Sequence, residues 1–216
     1  MTGGETRCNV VPVSGTRTQA SAREASTAAT RERIVDAAFE LFRTQWYEDV
    51  TMRGIAAEAE VALQTVVNHF GTKERVFAGV IEHFSGAVDA ARDVAIPDDV
   101  PQAVAALVGD YETTGDATIR TLAVEERIPA VRDALAAGRA GHRAWVERTF
   151  PGALAGLAGS ARERRLDLLV VATDVYAWKL LRRDRGHSQQ ATASAVAELV
   201  AALYPRRPSG PEEASR

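Results

Sequence analysis

Residues 51–73, TMRGIAAEAEVALQTVVNHFGTK, constrain the fold of this chain more than any other stretch. They divide into two short segments with helical apolar spacing, joined by a tight turn, and a third segment opens at Thr72. Thr51 and Thr72 are of the type that caps a helix start, the hydroxyl accepting a bond from an otherwise unpaired amide. Ile55 and Ala59 in the first segment, and Val66 and Phe70 in the second, mark the inward faces. The opposite side of the second segment then carries Leu63, Gln64, Val67 and Asn68. Two helices of this size are too small to enclose a cofactor and well sized to lodge one helix in a DNA groove.

The flanking pattern is helical throughout. Residues 1–27 are rich in Ser, Thr, Gly and Ala without an apolar period and read as a disordered arm. Ile34, Ala38, Leu41 and Phe42 predict a first helix capped by Thr30. Thr72 is expected to cap a longer helix running to about Ala95. The clearest break is IPDDVP at 96–101. Beyond it, segments near 101–113, 116–126, 129–149, 160–184 and 188–204 show helical spacing, separated by Gly115, Pro129, PGALAGLAG at 151–159, and Gly186. Residues 205–216 read as a tail. The expected fold is all-α, with an N-terminal three-helix helix-turn-helix domain at 28–75 and a larger helical domain at 76–204.

Composition narrows the function. The formal net charge of -3 does not describe a protein that coats nucleic acid non-specifically, but it permits docking through a few placed contacts. The single cysteine, Cys8, allows no intrachain disulfide and suggests no thiol metal site. No apolar run approaches the roughly 20 residues of a membrane span, and the first residues lack a signal-peptide core, so a cytoplasmic protein is expected. His69, His83, His142 and His187 are scattered, and HExxH, GxSxG and Walker patterns are absent. No catalytic residues, metal or cofactor are therefore expected.

As a helix-turn-helix, the second helix would present its N-terminal end to base edges. Gln64 offers the donor and acceptor that adenine requires in the major groove. Thr65 is placed for a phosphate or a thymine methyl. His69 and Lys73 suit phosphates, as do Thr51 and Arg53 at a helix start whose exposed amides favour an anion.

These residues resemble the TetR family of bacterial transcriptional regulators, whose pattern runs approximately T-x-R-x-I-A-x-x-A-G-V-S-x-x-T-L-Y-x-H-F-x-S-K-E. Thr51, Arg53, Ile55, Ala56, Ala59, Val61, Thr65, His69, Phe70, Lys73 and Glu74 fall in step with it. Ile34, Ala37, Ala38, Leu41, Phe42 and Tyr47 match the family's first helix and its exit. The similarity covers residues 30–84. It implies a DNA-facing set of Thr51, Arg53, Leu63, Gln64, Thr65, Val67, Asn68, His69 and Lys73, with Leu63 and Val67 limited to apolar contacts. Four residues depart from the pattern. Glu60 replaces a turn glycine, so a left-handed backbone there costs about 1 kcal/mol. Ala62 replaces a serine cap, a loss of about 1 kcal/mol. Val67 replaces a tyrosine, and Trp46 a glycine. Arg17 and Arg23 read as part of a solvated arm.

The resemblance further implies that the larger domain dimerises and binds a small-molecule effector, so that a dimer reads a palindromic double-stranded DNA operator and is released by that effector. Apolar strips of Leu166, Leu169, Val170, Thr173, Val175, Ala177 and Leu180, and of Ala195, Leu199 and Leu203, nominate the last two helices for a homodimer interface. Tyr111, Arg120, Trp145, Tyr176 and Trp178 are the candidate effector contacts, with Phe150, Thr114, Glu125 and His142 nearby in the pattern. The alternative is a helical small-molecule-binding or protein-interaction module whose DNA-binding head is degenerate.

Overall fold

A computed structural model describes residues 15–92 and 95–205, with side chains over 22–83 and 95–205. The described residues are helices and connecting turns, without a strand. In chain order they are α1 (Gly15–Thr44), α2 (Met52–Glu58), α3 (Leu63–Phe70), α4 (Lys73–Arg92), α5 (Val100–Leu122), α6 (Pro129–Thr149), α7 (Pro151–Leu154), α8 (Gly159–Thr173), α9 (Val175–Lys179) and α10 (Gln189–Ala201). A single π turn, Leu180–Asp184, follows α9.

Several boundaries follow the sequence signals and several correct them. α1 begins at Gly15, so residues 15–27 are helical rather than a disordered arm. Ala20, Ala22, Ala25, Ala28 and Ala29 explain this, because alanine favours helix without needing an apolar face to bury. Thr30 is no cap: it lies mid-helix and its hydroxyl donates to the Ser26 carbonyl at 2.9 Å. α5 runs unbroken through Gly115, which allows a close approach instead of a break. A Cβ there would sit 2.4 Å from the Trp178 ring. Conversely, the expected segment 160–184 breaks at Asp174, whose backbone is extended and whose carboxylate caps α9 by accepting from the Tyr176 amide at 2.8 Å. Residues 1–14 of the expected arm and 206–216, where the tail is expected, lie outside the described residues, as do Asp93 and Val94 at the expected end of the fourth helix.

The hydrophobic interior forms two clusters. One joins Ile34, Phe42, Ile55, Val66, Phe70 and Phe77 of the head to Val124, Ile128, Val131 and Leu135 from the turn after α5 and the start of α6. The head therefore closes its core only with residues contributed from the larger part. The second cluster is built by α5 to α10 around Leu107, Trp145, Phe150, Leu166, Leu169 and Trp178. Leu122 packs against both.

The IPDDVP segment anchors the larger part. Asp98 takes a positive φ of 63° and donates its amide to the Thr149 carbonyl at 2.8 Å. Its carboxylate accepts from the Gly152 amide at 2.9 Å and the Tyr204 hydroxyl at 2.7 Å. Burial and that carboxylate both push the Tyr204 hydroxyl above the usual phenol range. At the other end of α8, Arg165 donates to the carbonyls of Ala153 and Leu203, tying the end of α10 down.

The strips expected at a dimer interface are redistributed. Leu166, Leu169, Thr173 and Val175 are buried in the chain's own core. The large apolar residues exposed in this region are Leu168, Val171, Tyr176, Leu180 and Leu199.

Candidate nucleic-acid interface

α2 starts where a cap permits it: the Thr51 hydroxyl accepts from the Gly54 amide at 3.0 Å. Ile55 and Ala56 turn inward. At its far end the Val61 amide bonds the Ala56 carbonyl at 3.0 Å and the Glu60 amide bonds the Ala57 carbonyl at 3.2 Å. That paired closure requires a left-handed residue between helix and exit, normally glycine. Glu60 supplies it at φ 53°, as the sequence departure implies. Ala62 precedes α3 with an extended backbone and gives no side-chain cap bond, so α3 starts without a capping hydroxyl.

α3 sorts its side chains cleanly. Val66 and Phe70 are buried, while Gln64 and Asn68 are exposed and Leu63 and Val67 remain 39% and 37% exposed. Gln64 Nε2 donates to Asn68 Oδ1 at 2.8 Å, so the two amides one turn apart form a pre-set pair. An amide has two donor protons and one acceptor oxygen. After this bond Gln64 keeps one proton and its carbonyl oxygen, which is the combination adenine presents to in the major groove. α3 ends at Gly71, whose φ of 76° and ψ of -57° form a tight γ-turn closed by the Thr72 amide on the Phe70 carbonyl at 2.9 Å.

Two cationic positions differ from the sequence expectation. Lys73, expected to grip phosphate, is half-buried and faces the loop after α1. Its ammonium donates to the carbonyls of Tyr47 and Val50, both at 2.8 Å, and lies 4.1 Å from the Tyr47 ring centroid. Two of its three protons are thereby used within the head. Arg75, which the sequence reading passed over, is exposed and lies against Gly71 at the end of α3. Its position two residues past Lys73, in the first turn of α4, was the available signal. Arg53 is exposed in the first turn of α2, and Thr65 and His69 are partly exposed. Arg31 stacks over the Phe70 ring at 4.8 Å. Beside Lys73, the Tyr47 hydroxyl donates to Glu74 at 3.1 Å. Its own amide and the Thr72 hydroxyl hold the Glu74 carboxyl below the usual carboxylate range.

The residues expected to contact an effector do not converge. Tyr111 is buried, with its hydroxyl donating to the Thr173 carbonyl at 3.1 Å and its ring 5.9 Å from Trp178. Trp178 is buried and donates its indole N–H to Glu112 at 3.0 Å. Trp145 packs against Phe150 and His142, and His142 bonds the Thr173 hydroxyl at 3.0 Å. Tyr176 projects into solvent. Arg120 reaches away from these aromatics to the carbonyl of Arg43 in α1. Open clefts lie elsewhere. One of about 460 Å³ lies between α5 and the start of α10, lined by Ala105, Val108 and Ser188. Another of about 440 Å³ lies at the seam of head and larger part, lined by Tyr47, Glu74 and Arg127.

Comparison with known proteins converges on one group. Residues 34–80 match the family described as bacterial regulatory proteins, tetR family. A transcriptional regulator from Rhodococcus sp. Rha1 has the same fold, with a TM-score of 0.66 and 18% identity over 80% of this chain and 95% of its own. A putative TetR-family regulator from Mesorhizobium loti aligns with a TM-score of 0.63 and 18% identity, covering 82% of this chain and 96% of that one. The multidrug binding protein EbrR, solved with imidazole, aligns with a TM-score of 0.57 and 21% identity, covering 83% and 92%. No curated protein matches the chain in sequence. Among the described residues, no helix is long and apolar enough to cross a membrane.

Proposed function

From membership of the TetR family of bacterial transcriptional regulators, carried by residues 34–80, we propose that this protein is a cytoplasmic repressor that binds a palindromic operator as a homodimer and is released by a small molecule. One observation carries the reading. α3 buries Val66 and Phe70 and turns Gln64, Asn68, Leu63 and Val67 outward as a continuous edge. Gln64 reads adenine, Leu63 and Val67 meet thymine methyls, and Thr51, Arg53, Thr65 and His69 hold phosphates. Lys73 contributes to this set mainly by holding the loop behind it, and Arg75 joins the phosphate contacts.

The dimer forms through the outward face of α8 and α10, where Leu168, Val171 and Leu199 are exposed. Two heads then address half-sites about one DNA turn apart, roughly 34 Å. The effector enters among α5, α6 and α8 by opening the packed interior in which Tyr111 and His142 bond Thr173, since the open clefts among the described residues lie elsewhere. A ligand that favours the wider spacing of the heads lowers operator affinity in proportion to that preference. EbrR, of the same fold, is described as a multidrug binding protein, which supports a small-molecule role for the larger part.

A gel-shift titration against the DNA upstream of the protein's own gene tests this. A specific shift that weakens with salt is expected, and Gln64→Ala is expected to relax preference at one base pair per half-site. Absence of any specific shift would favour the alternative, a small-molecule-binding or protein-interaction module with a degenerate head, to which the strained Glu60 and uncapped Ala62 would then be the clue.

A further inference from the structure

The loop between α1 and α2, which delivers the chain to the DNA-facing unit, is gripped from two sides. On the head side, Lys73 donates to the carbonyls of Tyr47 and Val50. On the other side, the end of α5 and the turn into α6 supply two guanidiniums. Arg120 donates to the carbonyl of Arg43 in the last turn of α1, and Arg127 pairs with Glu48 in the loop itself. The last carbonyls of a helix lack intrahelical partners and carry the negative end of its dipole, so a cation is well placed there.

Arg120 is partly buried, and its Nε is buried without a hydrogen-bond partner. The α1 carbonyl is therefore the contact that fixes this guanidinium, and sliding the turn relative to α1 removes it. Val124 between the two arginines and Ile128 immediately after the second are buried in the head's core, followed by Val131 and Leu135 of α6. Arg139 on α6 pairs with Glu125 in the same turn rather than with a residue of the α1–α2 loop.

The geometry points to the turn between α5 and α6 as a lever that sets the position of the head through the α1–α2 loop, with Arg120 and Arg127 as its grips. This path runs alongside the continuous rod of α4 and acts on the residues immediately before Thr51. Its regulatory meaning rests on the ligand-responsive reading above. Its mechanical content does not, because the grip exists whether or not an effector binds.

Hydrogen exchange of the full chain, without DNA or ligand, separates the two. In Arg120→Met, which keeps much of the stem but removes the donors, exchange of amides over residues 44–58 is expected to rise about tenfold relative to wild type. Arg127→Ala, at an exposed pair, should raise it about twofold at low salt, with the difference vanishing at about 1 M salt. Arg139→Ala should leave the head's exchange unchanged, and α8 and α10 should be unaffected in all three. Unchanged exchange over 44–58 in both Arg120→Met and Arg127→Ala would overturn the proposal. So would an equal rise across α8 and α10, which would make Arg120 an ordinary contributor to global stability. A failure to bind DNA would leave the exchange result intact, so the two readings fail independently.

Discussion

The head and the larger helical part solve the same problem, burying a core among helices, by different means. In the head, turns decide. Thr51, Glu60, Gly71 and Thr72 each set a helix end through a local bond or a left-handed backbone. In the larger part, contacts between distant residues decide. Gly115 admits Trp178, Glu112 receives Trp178 and Arg182, and Asp98 gathers Gly152 and Tyr204. Local devices tolerate substitutions that preserve backbone geometry, whereas interlocked side chains tolerate only those that preserve shape.

Glycine substitutions expose this difference most strongly. Gly115→Ala places a methyl 2.4 Å from the Trp178 ring, so a loss of about 3 kcal/mol in denaturant stability is expected from overpacking. Trp178→Phe in the same background should recover part of it. In the head, a Cβ on Gly71 meets nothing closer than Arg75 at 3.9 Å, so Gly71→Ala should cost about 1–2 kcal/mol through its positive φ alone. A larger loss at Gly71 than at Gly115 would break the distinction. Glu60→Gly tests the head from the opposite direction, since relief of the left-handed strain should raise stability by about 1 kcal/mol. No gain in the unfolding midpoint would mean that the Glu60 side chain compensates for the strain.

Smaller effects sharpen the picture of the larger part. The Thr192 hydroxyl is fully buried without a partner, so Thr192→Val should be neutral or stabilise by up to about 1 kcal/mol. Burial draws the Glu112 carboxyl upward, but bonds from Arg182 and the Trp178 indole outweigh it and hold it below the usual range. A carboxyl lowered on folding stabilises the native state above its unfolded pKa, about 4, and loses that contribution as pH falls through the lower folded value. Glu112→Gln should therefore flatten the acid limb of the stability profile, and an unchanged limb would show that this carboxylate contributes little.

The same contrast explains what was legible in the sequence. The Thr51 cap and the apolar spacing of Ile55, Ala59, Val66 and Phe70 are written in adjacent residues, so α2, α3 and the exposed edge of α3 could be read directly, while the left-handed turn at Glu60 was implied only by the family's glycine there. Pro129 likewise opens α6, which spans Pro129–Thr149. The role of Gly115 could not be read, because its partner lies more than sixty positions away and a glycine in isolation suggests a break. Lys73 carried the same ambiguity: spacing placed it just beyond α3, but only the folded loop reveals the carbonyls of Tyr47 and Val50 that hold it. The apolar strip of α8 was visible, but which half faces the core depended on the break at Asp174. Helix from Gly15 to Thr30 was missed because apolar periodicity detects packing, not the intrinsic propensity of alanine.

Selection of duplexes from a random pool by the purified wild-type protein tests the central claim most directly. The enriched sequences are expected to contain inverted half-sites about one helical turn apart, roughly 10 base pairs, with an adenine in each whose enrichment disappears for Gln64→Ala. A pool that stays random after repeated rounds at low salt would contradict the reading of α3 as the recognition helix.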